Sequence, residues 1–325
     1  MVEIRLQRSL GVFVRKAGIL WIFIIMCVVI GILSPNFIKP LNVVTILKQI
    51  SMLGILAIGS TFVLISGGID LSVGSTMSAA GVCAALVGLQ TQNNPLILPI
   101  VIALVVGLGI GLINGFGVTY GRITPFIMTL GLMISVRGLA LLLSKGQPIF
   151  GLSDKFASIS GQPIFRFGSV TIPNLILYLI ATTAFMSILL KFTIYGKWLF
   201  AVGGNENSAR FSAINVAAVK IAVYALNGLL AGLCGVLMAS KINSGDATVG
   251  ENIALDAIAA SVIGGVSLSG GIGTIWKTVL GALIIGVMQN GLQILSVSPF
   301  VQTIVEGLII IAAVFFDVRG KGGRS

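Results

Sequence analysis

Residues 96–120 carry no charged side chain. An apolar run of that length suits a bilayer core about 30 Å thick, crossed as a helix because every backbone N–H and C=O must find its partner within the segment. Further runs of this kind fall at 17–34, 43–66, 73–90, 124–144, 172–190, 217–240, 253–266, 275–296 and 299–316. The sequence therefore predicts an all-α, polytopic transmembrane helical bundle of about ten spans, with residues 1–325 as a single transmembrane domain. Only 9% of residues are charged, against about a quarter in a soluble domain, which excludes a water-soluble fold. The 42 glycines agree, since small residues let membrane helices approach closely.

The net charge is +11, but the basic residues are spread thinly between apolar stretches and form no patch suited to nucleic acid. They read as topology signals. With ten spans and a cytoplasmic N-terminus, thirteen fall on the inner side, including Arg5, Arg8, Arg15, Lys16, Arg122, Lys191, Lys220 and Arg324, and six on the outer. Arg137 alone stands within a span. The positive-inside rule then places both termini in the cytoplasm. The apolar stretch 17–33 is too long for a secretory signal, and Ser34-Pro35-Asn36 is no cleavage site, so it reads as the first span. Histidine is absent and Cys27, Cys83 and Cys234 are isolated in apolar segments, which leaves neither a metal cluster nor a disulfide framework.

Two hydrophilic segments interrupt the spans, an outer loop at 145–170 with two Gln-Pro pairs and an inner loop at 191–216. Neither is large enough for a domain. No Gly-x-x-x-x-Gly-Lys-Ser/Thr occurs, so no cofactor is expected on this chain and any ATP must be hydrolysed by a partner.

Gly107, Gly111 and Gly115 recur every four residues and predict a tight helix crossing. Gly67-Gly68-Ile69-Asp70-Leu71-Ser72-Val73-Gly74 sets two helix-weakening glycines and a carboxylate between apolar runs. A similar frame returns at Gly264-Gly265-Val266-Ser267-Leu268-Ser269-Gly270-Gly271, in the pattern of a parallel internal repeat. Such breaks occur in membranes only where they are buried in protein or line a wet cavity. Asp70 has two readings: it caps a helix beginning near Leu71, or it belongs with Ser72 to a pathway or its gate.

Other polar residues inside spans are Asn114, Arg137, Asn227, Asp256, Gln289, Asn290, Gln293, Gln302 and Glu306. Gln289 and Gln293 share a helix face, as do Gln302 and Glu306. Interhelical hydrogen bonds, or an ion pair of Arg137 with Glu306 or Asp256, account for many. Asn227, Gln289 and Gln293 remain candidates for a polar path suited to a hydroxyl-rich substrate. Segment 203–216 reads as a Gly turn, an Asn cap and a short amphipathic helix with Glu206 at its positive end. A helix of about eight to ten residues is marginal alone and needs a docking surface.

At these residues the chain is similar to the ribose-type permease family of ABC importers, which serves ribose, arabinose, xylose and galactose. The resemblance runs through Leu33-Ser34-Pro35-Asn36-Phe37, 67–74, 203–216, Leu255-Asp256-Ala257-Ile258-Ala259-Ala260, 264–273 and Ser298-Pro299-Phe300. It implies a permease in the bacterial cell (inner) membrane, surrounded by lipid and paired with a second copy or a paralogous permease. Separate or tandem ATPase domains would hold ATP and Mg inside, and an extracytoplasmic sugar-binding protein would deliver cargo. The loop at 203–216 would be the coupling helix, carried by Gly203, Gly204, Asn205, Glu206, Ala209 and Arg210. Two departures are Ala213, where the family usually has Gly, and Lys277, where a small residue is usual and a cation would snorkel to the membrane surface.

Rival expectations are an ion-coupled secondary transporter using Asp70, Asp256 and Glu306, an ABC permease for branched-chain amino acids, and a membrane scaffold.

Overall fold

The computed structural model describes residues 18–91, 96–167 and 170–321. Arg5, Arg8, Arg15, Lys16 and Arg324 lie outside these. In chain order the helices begin with α1 (Gly18–Leu33), α2 (Pro40–Ile65), α3 (Val73–Gln90), α4 (Ile97–Thr119) and α5 (Pro125–Ser144). Next come α6 (Asp154–Gly161) and the strands β1 (Pro163–Phe167) and β2 (Val170–Pro173). Then follow α7 (Asn174–Phe192), α8 (Ile194–Gly204), α9 (Glu206–Phe211), α10 (Val216–Ile242), α11 (Ile253–Ile263), α12 (Ile275–Ile294) and α13 (Pro299–Lys321). Proline opens α2 and α5, where its missing N–H costs nothing.

Each of the ten expected runs contains a helix. Seven of these (α2, α3, α4, α5, α7, α10 and α12) are long and apolar enough to cross a membrane. The other three hold shorter apolar helices, Phe23–Leu33, Ile253–Ile263 and Pro299–Ala312. At 1.5 Å per residue, the 11 residues of α11 reach only about 16 Å, half a bilayer core. Composition cannot see this. The apolar run 253–266 includes Gly264 and Gly265, at which the helix stops.

The centre of the bundle is the crossing of α4 and α10, flanked by α3. Here the expected glycine stripe does its work: a Cβ on Gly107 would run into the Gly228 carbonyl oxygen, and one on Gly228 into that of Gly107. Gly111 faces the Tyr224 carbonyl in the same way, and Gly115 meets the backbone of Ile221. On the other side of α10, α2 packs against α7, α11 and α12. A buried hydroxyl cluster ties three of these together: Thr61 Oγ1 lies 2.7 Å from Thr278 Oγ1 and 3.2 Å from Ser261 Oγ. The outward faces of α1, α5, α7 and α13 expose Ile32, Leu142, Phe185 and Ile311, an apolar surface suited to lipid.

The loop at 145–170 departs from the all-α expectation. It contains α6, capped by the Ser153 hydroxyl, and leads into an antiparallel hairpin that pairs Phe165 with Ile172. Phe156 of α6 is buried, and Ser240 at the end of α10 accepts from Ser160 N and donates to the Phe156 carbonyl (2.9 and 2.8 Å). The loop at 191–216 also differs from its hydrophilic reading. Its first half is α8, with Leu199 and Val202 buried, and Gly203 and Gly204 end that helix instead of forming a free turn. The signal was present in Thr193, which caps Gly196 N, and in the apolar run Trp198-Leu199-Phe200-Ala201-Val202.

Candidate functional site

The link between α2 and α3 is a turn held in the middle of the protein. Helix α2 ends when Gly67 takes a φ of +80°, with Gly67 N bonding to Leu64 O and Gly68 N to Val63 O. Asp70 then folds back on its own backbone, accepting from Ser72 N at 2.9 Å and from Ser72 Oγ at 2.7 Å. Two distant asparagines complete the cluster. Asn227 Nδ2 on α10 donates to Asp70 Oδ2 at 2.8 Å, and Asn114 Nδ2 on α4 donates to Ser72 Oγ at 2.7 Å. All four side chains are buried, and Asp70 is only 3% exposed. The carboxylate thus fixes the turn into α3 and also pins α3 to α4 and α10. It is satisfied by neutral donors.

The second double-glycine frame terminates α11 by the same geometry. Gly265 takes a φ of +83°, with Gly265 N to Val262 O and Val266 N to Ser261 O. The left-handed residue is the second glycine here and the first at 67–68, so the two terminations are offset by one residue from the sequence frame. The following turn keeps the frame: Ser267 Oγ accepts from Ser269 N as Asp70 accepts from Ser72 N. Both breaks lie side by side, for Gly271 N bonds to Ile65 O at 2.9 Å.

The end of α8 docks on that junction. A Cβ on Gly203 would run into the Ile65 carbonyl oxygen and crowd Gly271 N. Beyond it, Asn205 Oδ1 accepts from Ser208 N at 2.9 Å and caps α9, as expected. The helix has six residues, shorter than expected, and is held by ion pairs. Glu206 bonds Lys220 of α10 at 2.6 Å and Arg210 at 2.7 Å. Lys220 first, then Arg210, hold the Glu206 carboxyl below its ordinary range. Ala209 is buried beneath α9, whereas Phe211 at its tip is 92% exposed. Ala213 takes a φ of +59°, the left-handed conformation natural to the glycine usual in the resembling family. Arg122, Glu206, Arg210 and Lys220 line a polar cavity of about 460 Å³ at this end.

Gln289 and Gln293 stand elsewhere. Gln289 Nε2 donates to Glu306 Oε1 of α13 at 2.8 Å, and Gln49 Nε2 of α2 donates to Gln293 Oε1 at 3.4 Å. They tie α12 to its neighbours, and no hydrogen bond among the described residues joins them to Asp70. Lys277 is exposed on α12.

The expected partner of Arg137 is corrected. Arg137 Nη1 pairs with Glu251 Oε1 at 2.7 Å, not with Glu306 or Asp256. The reason is packing: α5 lies on α3 and α4, whereas Asp256 and Glu306 belong to α11 and α13, which pack together. Glu251 was missed because it sits in a Gly- and Thr-containing stretch that read as a simple break. Lys220 and Phe211 were passed over as a topology charge and an ordinary helix residue. Asn114 carried a legible signal, one residue from Gly115 on the close-packed stretch of α4.

A family model described as "Branched-chain amino acid transport system / permease component" matches residues 42–314. The ribose import permease protein of Bacillus subtilis is 39% identical over 308 residues, 94% of each chain. The chain belongs to the sugar ABC importer permease family. The ribose import permease protein of Escherichia coli K12 is 38% identical, covering 90% of this chain and 91% of that one. The galactose/methyl galactoside import permease protein of Salmonella typhimurium is 36% identical, covering 96% of each. No solved structure matches the permease. It is a multi-pass membrane protein, and its relatives are transport subunits, not enzymes.

Proposed function

We propose that this chain is the membrane subunit of an ATP-driven importer that carries a monosaccharide of the ribose, arabinose, xylose or galactose type into a bacterial cell. The observation that carries this reading is similarity to ribose import permeases along nearly the whole of both chains. The same similarity disfavours an ion-coupled carrier, and the sugar-named relatives disfavour amino-acid cargo.

In this reading the end of the bundle bearing α8 and α9 faces the cytoplasm, with both termini, and all ten apolar segments sit in the membrane, α11 reaching only part-way across. The excess of Lys and Arg assigned to that side supports the orientation. An ATPase pair, which holds ATP and Mg, seats against α9 through the exposed Phe211 and the cavity beside Glu206. A sugar-binding protein docks at the opposite end, on α6 and the hairpin, and a second permease completes the path.

Coupling then has a physical route. Residues Gly203, Gly204, Asn205, Glu206, Ala209 and Arg210 form a rigid segment, because its cap and its ion pairs to Arg210 and Lys220 leave it little freedom. Gly203 rests on Ile65, two residues before Gly67, and the turn beyond holds Asp70. A push on α9 is delivered to the α2–α3 turn, where Asp70, Ser72 and Asn227 act as a gate latch between α3, α4 and α10. Rigid-body shifts of packed helices amplify small displacements of this kind. Gln289 and Gln293 serve the path from the α12 side.

The test is to tag the chain in its native membrane, purify it in mild detergent and identify its companions by mass spectrometry, then to measure uptake of the four sugars. Recovery of a P-loop ATPase and uptake that resists ionophores support the reading. A chain that purifies alone and transports sugar when reconstituted overturns it.

A further inference from the structure

Segment 243–252, between α10 and α11, has no helix or strand, yet it runs deep into the bundle alongside α3. Gly245 lies against Val82 and Ala85, and Gly250 lies against Gly74 and Met77. From Val82 to Gly74 is a descent of about 12 Å along the helix, and Gly74 stands about 24 Å from the far end of α3 at Gln90. Glu251 is therefore at membrane depth. Irregular backbone at that depth persists only when sealed in protein or bathed by a wet cavity.

Sealing in protein describes only the first part of this segment, where Ser244, Gly245 and Ala247 are buried and Gly245 is bridged to Ile149; Thr248 and Glu251 are exposed. The side chains of Arg137 and Glu251, paired across it at 2.7 Å, are 37% and 60% exposed. A charged pair on a face turned to hydrocarbon is strongly unfavourable, which leaves water as its surroundings. Beside the pair lies a cavity of about 140 Å³ walled by Gly74, Ser75, Ser78, Thr248, Arg137 and Glu251. Hydroxyls, a guanidinium and a carboxylate thus converge on one space, with apolar helix surface on either side.

We infer that this groove between α5 and residues 244–251 is a wall of the hydrated sugar path, and that Arg137 and Glu251 are its hydroxyl-binding pair. The inference rests on the proposed importer function. Chemically the pair is well matched to a monosaccharide. The guanidinium offers five N–H donors and the carboxylate up to four acceptor sites, so neither is saturated by the single bond between them. Vicinal hydroxyls can bridge the two, giving and receiving at once. The Asp70 cluster is closed off instead, with all four of its side chains buried and Asp70 only 3% exposed.

Thiol accessibility tests the assignment in cells that make the full chain with its ATPase and binding protein. Cys27, Cys83 and Cys234 are replaced by alanine, and Thr248→Cys is compared with Leu142→Cys on the apolar outer face of α5. Sulfonatoethyl methanethiosulfonate, an anion that reacts where water reaches, is expected to label Thr248→Cys at least tenfold faster. Labelling is expected to lower uptake of radiolabelled ribose, galactose and arabinose at least tenfold. Ser75→Cys, on the opposite wall, is the second variant if Thr248→Cys fails to assemble. Equal slow labelling at both positions means that lipid or a second copy covers the groove, and overturns the inference. Fast labelling with undiminished uptake also overturns it, since the groove is then wet but off the path. Absence of ATP-dependent uptake by the unsubstituted chain with the same partners would instead count against the importer reading, and the labelling rates would still decide whether the groove is hydrated.

Discussion

Asn227 Nδ2 donates to Asp70 Oδ2 over 2.8 Å, across 157 positions of sequence. The bond joins the middle of α10 to the turn before α3 in a region shielded from water. An acceptor buried there has few substitutes for a lost donor. Asn227→Ala is expected to destabilise the protein by about 1–3 kcal/mol, the cost of leaving a buried polar group short of a partner. Thermal unfolding of the detergent-solubilised protein measures this. An unchanged midpoint would mean that the bond contributes nothing net.

Gly203 has no room for a side chain over Ile65. Gly203→Val should lift α8 and α9 from the α2–α3 turn, leaving the ATPase bound but cutting sugar uptake at least tenfold. Uptake and ATP hydrolysis measured on the same membranes would show the split. Equal rates to the wild type would remove Gly203 from the coupling route.

Glu206 holds both Arg210 and Lys220, so Glu206→Arg sets three cations together and should uncouple hydrolysis from uptake. Coupled transport at full rate in this variant would contradict the coupling role. The pH dependence follows from the lowered Glu206 carboxyl. A group whose folded value is depressed contributes stability above its unfolded value, near pH 4.3, and loses it only as pH falls through the folded value. Protection of the α9 amides from hydrogen exchange, corrected for intrinsic rate, should be flat from about pH 8 to 5 and fall in stronger acid.

Ala213 occupies a left-handed conformation that costs an L-residue with a Cβ about 1–2 kcal/mol. Ala213→Gly relieves that strain and returns a little chain entropy to the unfolded state, for a net gain of about 1 kcal/mol. A rise in the unfolding midpoint is the expected result. The resembling family usually has Gly at this position, and the positive φ supplies the physical basis for a difference between Ala and Gly there.

Gly107 and Gly228 let α4 and α10 touch backbone to backbone. Gly107→Leu should prevent that approach, and little folded protein should reach the membrane. Gly109, one turn face away with open space around it, is the control: Gly109→Ala should be tolerated. Quantitative immunoblotting of membrane fractions distinguishes the two.

Much of the architecture was legible because the bilayer imposes simple rules. Residues 96–120 had to be a helix, and the spacing of Gly107, Gly111 and Gly115 pointed to a close crossing. Asn205 could be read as a cap because capping is local. Residues 253–266 misled, since an apolar composition does not record where a helix ends. The 145–170 loop concealed α6 and a hairpin because their stability comes from docking, through Phe156 and Ser240, and not from propensity.

What the sequence determined by itself is everything set by local chemistry and solvent: membrane residence, the order of the apolar segments, the glycine breaks at 67–68 and 264–265, and the family. Only the tertiary structure decided which polar groups meet. It joined Asp70 to Asn227 and not to a cation, paired Arg137 with Glu251 and not with Asp256 or Glu306, and set Gly203 upon Ile65. In a chain with so few charges, each polar side chain in a span must find some partner, and many satisfy that need equally well on paper. Helix packing selects among them, because the choice depends on distances between segments far apart in sequence.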